Sequence, residues 1–291
     1  MKRARRILLG LLLIAALLAF YAFRIEPRRL VVRRDSIAIA GWPASYPPIR
    51  LAVISDIHAG SPFIDEAKLA RLVTLTNEQH PDFIFILGDS VIQDVRGGQF
   101  MPPETCAHIL SGLRARYGVY GVLGNHDVWL NGDRVKAAYD NVGIPTLVNE
   151  TRTIAVDGGN VTLAGLADLW TQKPDLTIVD RAPSPVIVLT HEPDIFPRIS
   201  SHAALTLAGH THGGQVNLPF IGRHIVPSRY GQRYAYGHVV ENGKQLYVTS
   251  GVGTSIIPVR FGVTPEVLLL EVRSANQAPH PSPTTHSSAT P

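Results

Sequence analysis

The chain of 291 residues has a single cysteine, Cys106, so no disulfide can close within it. It has no Walker-type glycine loop, and Gly251-Val252-Gly253 is a fragment of such a pattern that reads better as a turn between strands. Neither Ser55 nor Ser90 sits in a Gly-x-Ser-x-Gly elbow, which argues against a serine nucleophile. His191-Glu192-Pro193-Asp194-Ile195 begins like a zincin helix, but isoleucine stands where the second histidine is needed and Pro193 would break the helix. No internal repeat is visible. A basic nucleic-acid-binding face is also missing. Residues 1–34 hold nine Lys/Arg and one Glu, a net of +8, whereas the whole chain is +4, leaving the remainder at −4. The pI near 9.3 therefore belongs to the N-terminus, and no nucleic-acid partner is expected.

Five short segments supply the chemistry: Asp56-Ile57-His58, Gly88-Asp89, Gly124-Asn125-His126-Asp127, His191 and Gly209-His210-Thr211-His212. Each follows an apolar run (LAVIS, FIFIL, VYGVL, VIVLT, LTLA) that reads as a β-strand delivering polar residues at its C-terminal end. Ligands gather outside the carboxyl ends of strands in α/β folds. Carboxylate and imidazole together suit Mn, Fe, Co, Ni or Zn better than Ca or Mg. A carboxylate has two oxygens and can reach two ions, and Asp89 is the natural bridge. In Asp56-Ile57-His58, strand geometry would put both ligands on one side and turn Ile57 into the core, and His210-Thr211-His212 would repeat that geometry. Asn125 offers an amide oxygen. His126 is available for proton chemistry, with Asp127 as an orienting partner.

This pattern resembles the calcineurin-like metallophosphoesterases, whose signature is DxH, GD, GNH(D/E), H, GHxH. Outside the ligands, HTHGGQVNLP (210–219), RYAYG (233–237) and LYVTSGVGTSIIPVRFGVTPEVLLLEV (246–272) are similar to a branch of bacterial membrane-associated phosphodiesterases, the YkuE/YaeI-like group. The resemblance implies a four-layer αββα sandwich of the α/β (α+β) class, with two mixed sheets flanked by helices. It also implies one metal on Asp56, His58, Asp89 and His212, and a second on Asp89, Asn125, His191 and His210. His126 would serve the leaving group, held by Asp127. One departure stands out: many members carry an acidic residue about three positions after the GD aspartate, whereas here Asp94 comes later. The expected activity is phosphodiester or pyrophosphate hydrolysis by in-line attack of hydroxide between two ions of Mn, Zn or Fe. The alternatives are a phosphomonoesterase or phosphoprotein phosphatase, and a catalytically silent membrane-anchored binding module.

The ligands run from position 56 to 212 and must fold together, so one catalytic domain is expected over 35–273. Helices are expected over Asp65–His80, Glu104–Arg116 and Gly132–Asn141, and a hairpin around Asp157-Gly158-Gly159-Asn160. A strand-rich stretch should cover Gln245–Val272, and a disordered Pro/Ser/Thr-rich tail 274–291. Segment 1–34 should be a membrane anchor with a basic flank. Ile7–Phe23 is 17 uncharged, mostly apolar residues behind Lys2, Arg3, Arg5 and Arg6. At 1.5 Å per residue it spans about 25 Å, short but workable for a bilayer core of about 30 Å. No Ala-x-Ala site follows, which favours an uncleaved single-pass anchor over a signal peptide, with the catalytic domain outside. Membrane lipid and a phosphoester substrate, free or lipid-linked, are the expected partners, with no obligate protein partner. Arg223, Arg229 and Arg233 interleave with Phe220, Tyr230, Tyr234 and Tyr236, which suits either a second phosphate or a surface loop packed on the core.

Overall fold

The computed structural model describes residues 2–93 and 97–277; Asp94 and residues 278–291 of the expected tail lie outside them. In chain order the elements are α1 (Lys2–Phe20), β1 (Val31–Ile39), β2 (Ile49–Ile54), α2 (Glu66–Asn77), β3 (Phe83–Leu87), α3 (Pro103–Leu110), β4 (Val119–Val122) and α4 (Asn125–Asp140). Then follow β5 (Glu150–Val156), β6 (Gly159–Gly165), α5 (Thr177–Arg181), β7 (Val186–Leu189), β8 (Ala203–Ala208), β9 (Gly237–Glu241), β10 (Lys244–Val248) and β11 (Glu266–Ser274).

The strands form two mixed sheets, ordered β1-β11-β2-β3-β4 and β5-β6-β7-β8-β10-β9. Within the first, β2, β3 and β4 run parallel. Within the second, β6, β7, β8 and β10 do. The period of two along each strand explains the layering. Leu51, Val53, Phe83, Phe85 and Leu87 meet Leu163, Ile187, Leu189, Leu205 and Leu207 between the sheets. Their neighbours Ala52, Ile54, Ile84 and Ile86 face Leu69, Leu72, Cys106, Leu110 and Val135 of the helices. On the far side, Ala164, Val186 and Val188 pack on Val179, Ile195 and Ile199. The result is the expected sandwich of two sheets between helical layers.

Local signals set several boundaries. The Asp65 side chain accepts from Lys68 N at 2.8 Å and caps α2. The hairpin forms as expected, with β5 antiparallel to β6. α3 ends at Leu110, short of Arg116. α4 begins at Asn125 rather than Gly132 and breaks at Asn131, whose side chain accepts from Arg134 N and restarts the helix. The expected start at Gly132 is therefore that of the second segment only. Val31–Arg34, expected in the anchor's basic flank, pair along β11 as the first residues of β1. Ser274, expected in the tail, is the buried last residue of β11.

α1 is exposed along its whole length and continues through irregular turns to Arg28. It is long and apolar enough to cross a bilayer, a property shared with signal sequences. Its end is tied to the domain: Arg260 N donates to Ala22 O, and Glu26 accepts from Gly262 N and Thr264 Oγ1.

Candidate metal centre

All five polar blocks emerge where a strand ends. β2 leads to Asp56 and His58, β3 to Asp89, β4 to Asn125, β7 to His191, and β8 to His210 and His212. The backbone there is not extended. Asp56, His58, Asp89, His210 and His212 have φ of 50°, 48°, 51°, 68° and 50°. Non-glycine residues in this left-handed region are uncommon, and such strain gathers at functional sites. The expectation of strand geometry in Asp56-Ile57-His58 and His210-Thr211-His212 is thus corrected: left-handed turns just beyond the strands aim these side chains. Ile57 does point into the core, fully buried. Close packing demands glycine nearby, since a Cβ on Gly209 would lie 2.7 Å from Asp56 Oδ2.

Three groups of potential ligands result: Asp56, His58 and His212; His58, Asp89 and His126; Asp89, His191 and His210. His58 and Asp89 each belong to two groups, so the three form one continuous centre. His58 Nε2 lies 3.0 Å from His212 Nε2 and 3.7 Å from Asp89 Oδ2. His212 Nε2 is 3.5 Å from Asp56 Oδ1. His191 Nε2 is 3.2 Å from both Asp89 Oδ2 and His210 Nδ1. Two donors each about 2.1 Å from a shared ion, at about 90–110° to one another, sit about 3.0–3.4 Å apart. The 3.0 and 3.2 Å spacings match such an edge, and the 3.5 and 3.7 Å spacings are slightly longer.

One unpartnered atom fits the same reading: Asn125 Oδ1 is buried with no hydrogen-bond partner, as an oxygen kept for an ion would be. His191 Nδ1 lies 2.7 Å from Leu87 O, which can only accept, so this nitrogen donates. In neutral His191, Nε2 then presents a lone pair to a carboxylate and another imidazole. Only a cation can sit among them. Burial opposes a positive charge on His191, but Asp89 raises it well above its ordinary pKa. Asp89 falls well below the usual carboxylate range, since its pairing with His191 and His58 outweighs burial. Burial lowers His58 and His210 to about 3, so both are neutral lone-pair donors at pH 7. The donor set fits divalent transition metal.

His126 sits beside this centre, its N–H donating to Asp89 Oδ1 at 2.9 Å and its ring edge-on to His58. Burial lowers its pKa. The expected orienting contact from Asp127 to this ring is not made. Instead, Asp127 accepts from Ser90 N and Val91 N through Oδ1 and from Gly124 N through Oδ2. It clamps the β3 and β4 loops together, and the structure gives it no direct hold on the His126 ring.

Several residues escaped the sequence reading. Arg260 is fully buried, donates to the carbonyls of His212, Ser250 and Gly253, and lies 3.3 Å from His212 Nδ1. Burial, and then His58 and Arg260 nearby, lower His212 well below its ordinary pKa. Exposed Trp129 and Trp170 flank the centre, edge-on to His126 and His210 at 4.9 and 4.3 Å between ring centroids. Trp129 stands two residues beyond Asp127, the one signal available beforehand, whereas Trp170 lies far in sequence from every polar block. Within the aromatic loop, Tyr234 is buried against Phe196, and Arg233 pairs with Glu241 at 2.7 Å, so these two serve packing. Arg223 stays near the centre, donating to Gly213 O.

Comparison with known proteins agrees. The Metallophos profile, Calcineurin-like phosphoesterase, matches residues 49–224. The chain is 30% identical to the "Uncharacterized metallophosphoesterase YkuE" of Bacillus subtilis, covering 88% of this chain and 90% of that one. It is 30% identical to "Phosphodiesterase YaeI" of Escherichia coli, covering 86% and 88% respectively. A zebrafish "Transmembrane protein with metallophosphoesterase domain" is 28% identical, over 91% of this chain and 62% of that protein. The chain belongs to the calcineurin-like metallophosphoesterases and is a metal-dependent phosphoric ester hydrolase.

Proposed function

We propose that this protein is a membrane-anchored phosphodiesterase or pyrophosphatase with two divalent transition-metal ions, acting on an amphiphilic or nucleotide-linked substrate. The observation that carries the dinuclear reading is that Asp89 belongs to two ligand groups, one with His58 and His126 and one with His191 and His210. In this reading Asp56, His58, Asp89 and His212 hold one ion, and Asp89, Asn125, His191 and His210 the other. Mn, Zn and Fe are the candidates that match the mixed imidazole and carboxylate donors.

Ions bound there would supply Lewis-acid activation of water and neutralise charge building on the phosphoryl oxygens. The chain's own residues do the rest. His126, next to the bridging carboxylate and not needed as a ligand in this scheme, donates a proton to the leaving oxygen. Leu87 O holds the His191 ring so that Nε2 faces the centre. Trp129 and Trp170 offer flat apolar walls to the groups on either side of the phosphorus. The diesterase preference is supported by the relative named a phosphodiesterase. The membrane anchor rests on α1 and confines enzyme and amphiphile to one surface.

The test is hydrolysis by the full chain loaded in turn with Mn, Zn and Fe. Bis-p-nitrophenyl phosphate should turn over faster than p-nitrophenyl phosphate, and mass spectrometry of treated lipid extract should show a cleaved phosphodiester. Metal-loaded protein that cleaves only the monoester would overturn the proposal.

A further inference from the structure

Two loops carry large apolar side chains into solvent on the face where α1 meets the domain. Residues 218–225 present Leu218, fully exposed Phe220, Ile221 and Ile225, and residues 256–257 present Ile256 and Ile257; Ile256 is 84% and Ile225 80% exposed. Isolated exposed apolar residues are ordinary, but six on two loops that pack on each other are not. The loops are joined by Asn217 N donating to Phe261 O and by Gln215 Nε2 donating to Ser255 O. Phe220 and Ile256 are also held at φ of 66° and 60°, a conformation that a β-branched or bulky residue rarely adopts.

Three features say what covers this face. It is continuous with α1: Tyr21 packs edge-on against Phe261 and Arg260 N donates to Ala22 O. Every described residue of α1 is exposed, so the helix lacks an apolar environment in the protein itself. Exposed Arg24, Arg28 and Arg29 follow the helix, and Arg229 follows the first loop, giving the apolar tips a basic rim. Apolar tips with basic flanks, next to a helix of membrane-crossing length, match the interface of a bilayer with anionic headgroups. A second copy of this chain would have no use for the basic rim.

We propose that the loops 218–225 and 256–257 dip into the lipid interface beside α1 and dock the catalytic domain flat on the membrane. The consequence for the site is direct. Arg260, between the second loop and α1, also holds His212, while Arg223 of the first loop donates to Gly213 O. Docking thus holds the metal centre at headgroup level, so the substrate class is a phosphodiester still embedded in its leaflet. This deepens the proposed function and rests on α1 being membrane-bound.

The test reads depth, not catalysis. Cys106 is buried and its thiol is pushed up to about 12 by burial, so introduced cysteines can be labelled selectively. Full chain carrying Phe220→Cys, Ile256→Cys, Leu12→Cys or Glu150→Cys is labelled with an environment-sensitive fluorophore and reconstituted in phosphatidylglycerol/phosphatidylcholine vesicles containing doxyl-lipid quenchers. The expected result is a blue shift and loss of most emission at positions 220, 256 and 12, and little change at position 150. Metal content checks that each variant is folded. Labels at 220 and 256 that stay wet while position 12 is quenched would overturn the proposal. So would equal quenching at all four positions, no quenching at position 12, or a shift that follows protein concentration without lipid. Because no outcome depends on turnover, failure of docking is separable from failure of the phosphodiesterase reading.

Discussion

The Nε2 atoms of His58 and His212 face each other at 3.0 Å with rings stacked, although 154 positions separate them in the chain. Two neutral imidazoles, each lowered by burial, do not choose such an approach for its own sake. The packing of β2 and β8 imposes it, and a shared cation would relieve it. Apo protein should therefore be less stable than holo protein, and chelation should lower the thermal midpoint, which returns when transition metal is added.

Asp89 lies between His58 and His191 and has the most to lose from neutralisation. Asp89→Asn should reduce diester turnover by more than about 100-fold, beyond the usual cost of losing a residue that merely supports a ligand. Elemental analysis of the folded variant should show depleted metal. Full metal content with wild-type turnover would remove the basis for a bridging role.

His126 separates chemistry from binding. His126→Ala should keep its metal while turnover falls by about 10²–10⁴, the range of a lost general acid. The decrease should be smaller for substrates whose leaving group needs no proton, such as a nitrophenolate.

Asp127 presents both oxygens to backbone N–H groups of Gly124, Ser90 and Val91. In Asp127→Asn an amide NH₂ must face one of those donors. The expected cost is about 1–3 kcal/mol, read from the denaturant midpoint. Unchanged stability with abolished turnover would return this residue to a direct catalytic role.

Gly209 tests how tightly the centre is packed. The added methyl in Gly209→Ala would collide with Ser55 Oγ and approach Asp56 Oδ2 to 2.7 Å. Overpacking of this kind costs about 1–3 kcal/mol. Moving Asp56 should also lower the metal stoichiometry measured by elemental analysis.

Cys106 gives a pH prediction of clear sign. Burial raises the thiol to about 12, so its reactive thiolate stays scarce until the pH approaches that value. Iodoacetamide at pH 8 should leave the folded chain unmodified and alkylate it fully in denaturant, as read by mass spectrometry.

Much of the layout was legible because it is local. Apolar runs ending in Asp, Asn or His marked the places where the polar blocks emerge. Asp65 announced the start of α2, and Asp157-Gly158 the turn of the hairpin. What was misread depends on partners far away in sequence. The first four residues of β1 look like a basic flank until β11 pairs with them, more than 200 positions later. Asp127 looks like a partner for its neighbour His126 until the N–H groups of Ser90 and Val91 arrive from another loop. Asn131 breaks α4 in two, and a pattern of apolar spacing says nothing about that break.

By itself the sequence determined which residue types carry the chemistry, that they sit at strand ends, and that an apolar segment precedes the domain, because period and composition are properties of neighbours. Only the tertiary structure decided that Asp56, His58, Asp89, His210 and His212 adopt left-handed turns, that Arg260 underlies His212, and that two apolar loops share a face with α1. Those outcomes follow from packing two sheets face to face, where distant segments compete for the same few cubic ångströms and the backbone bends to admit them.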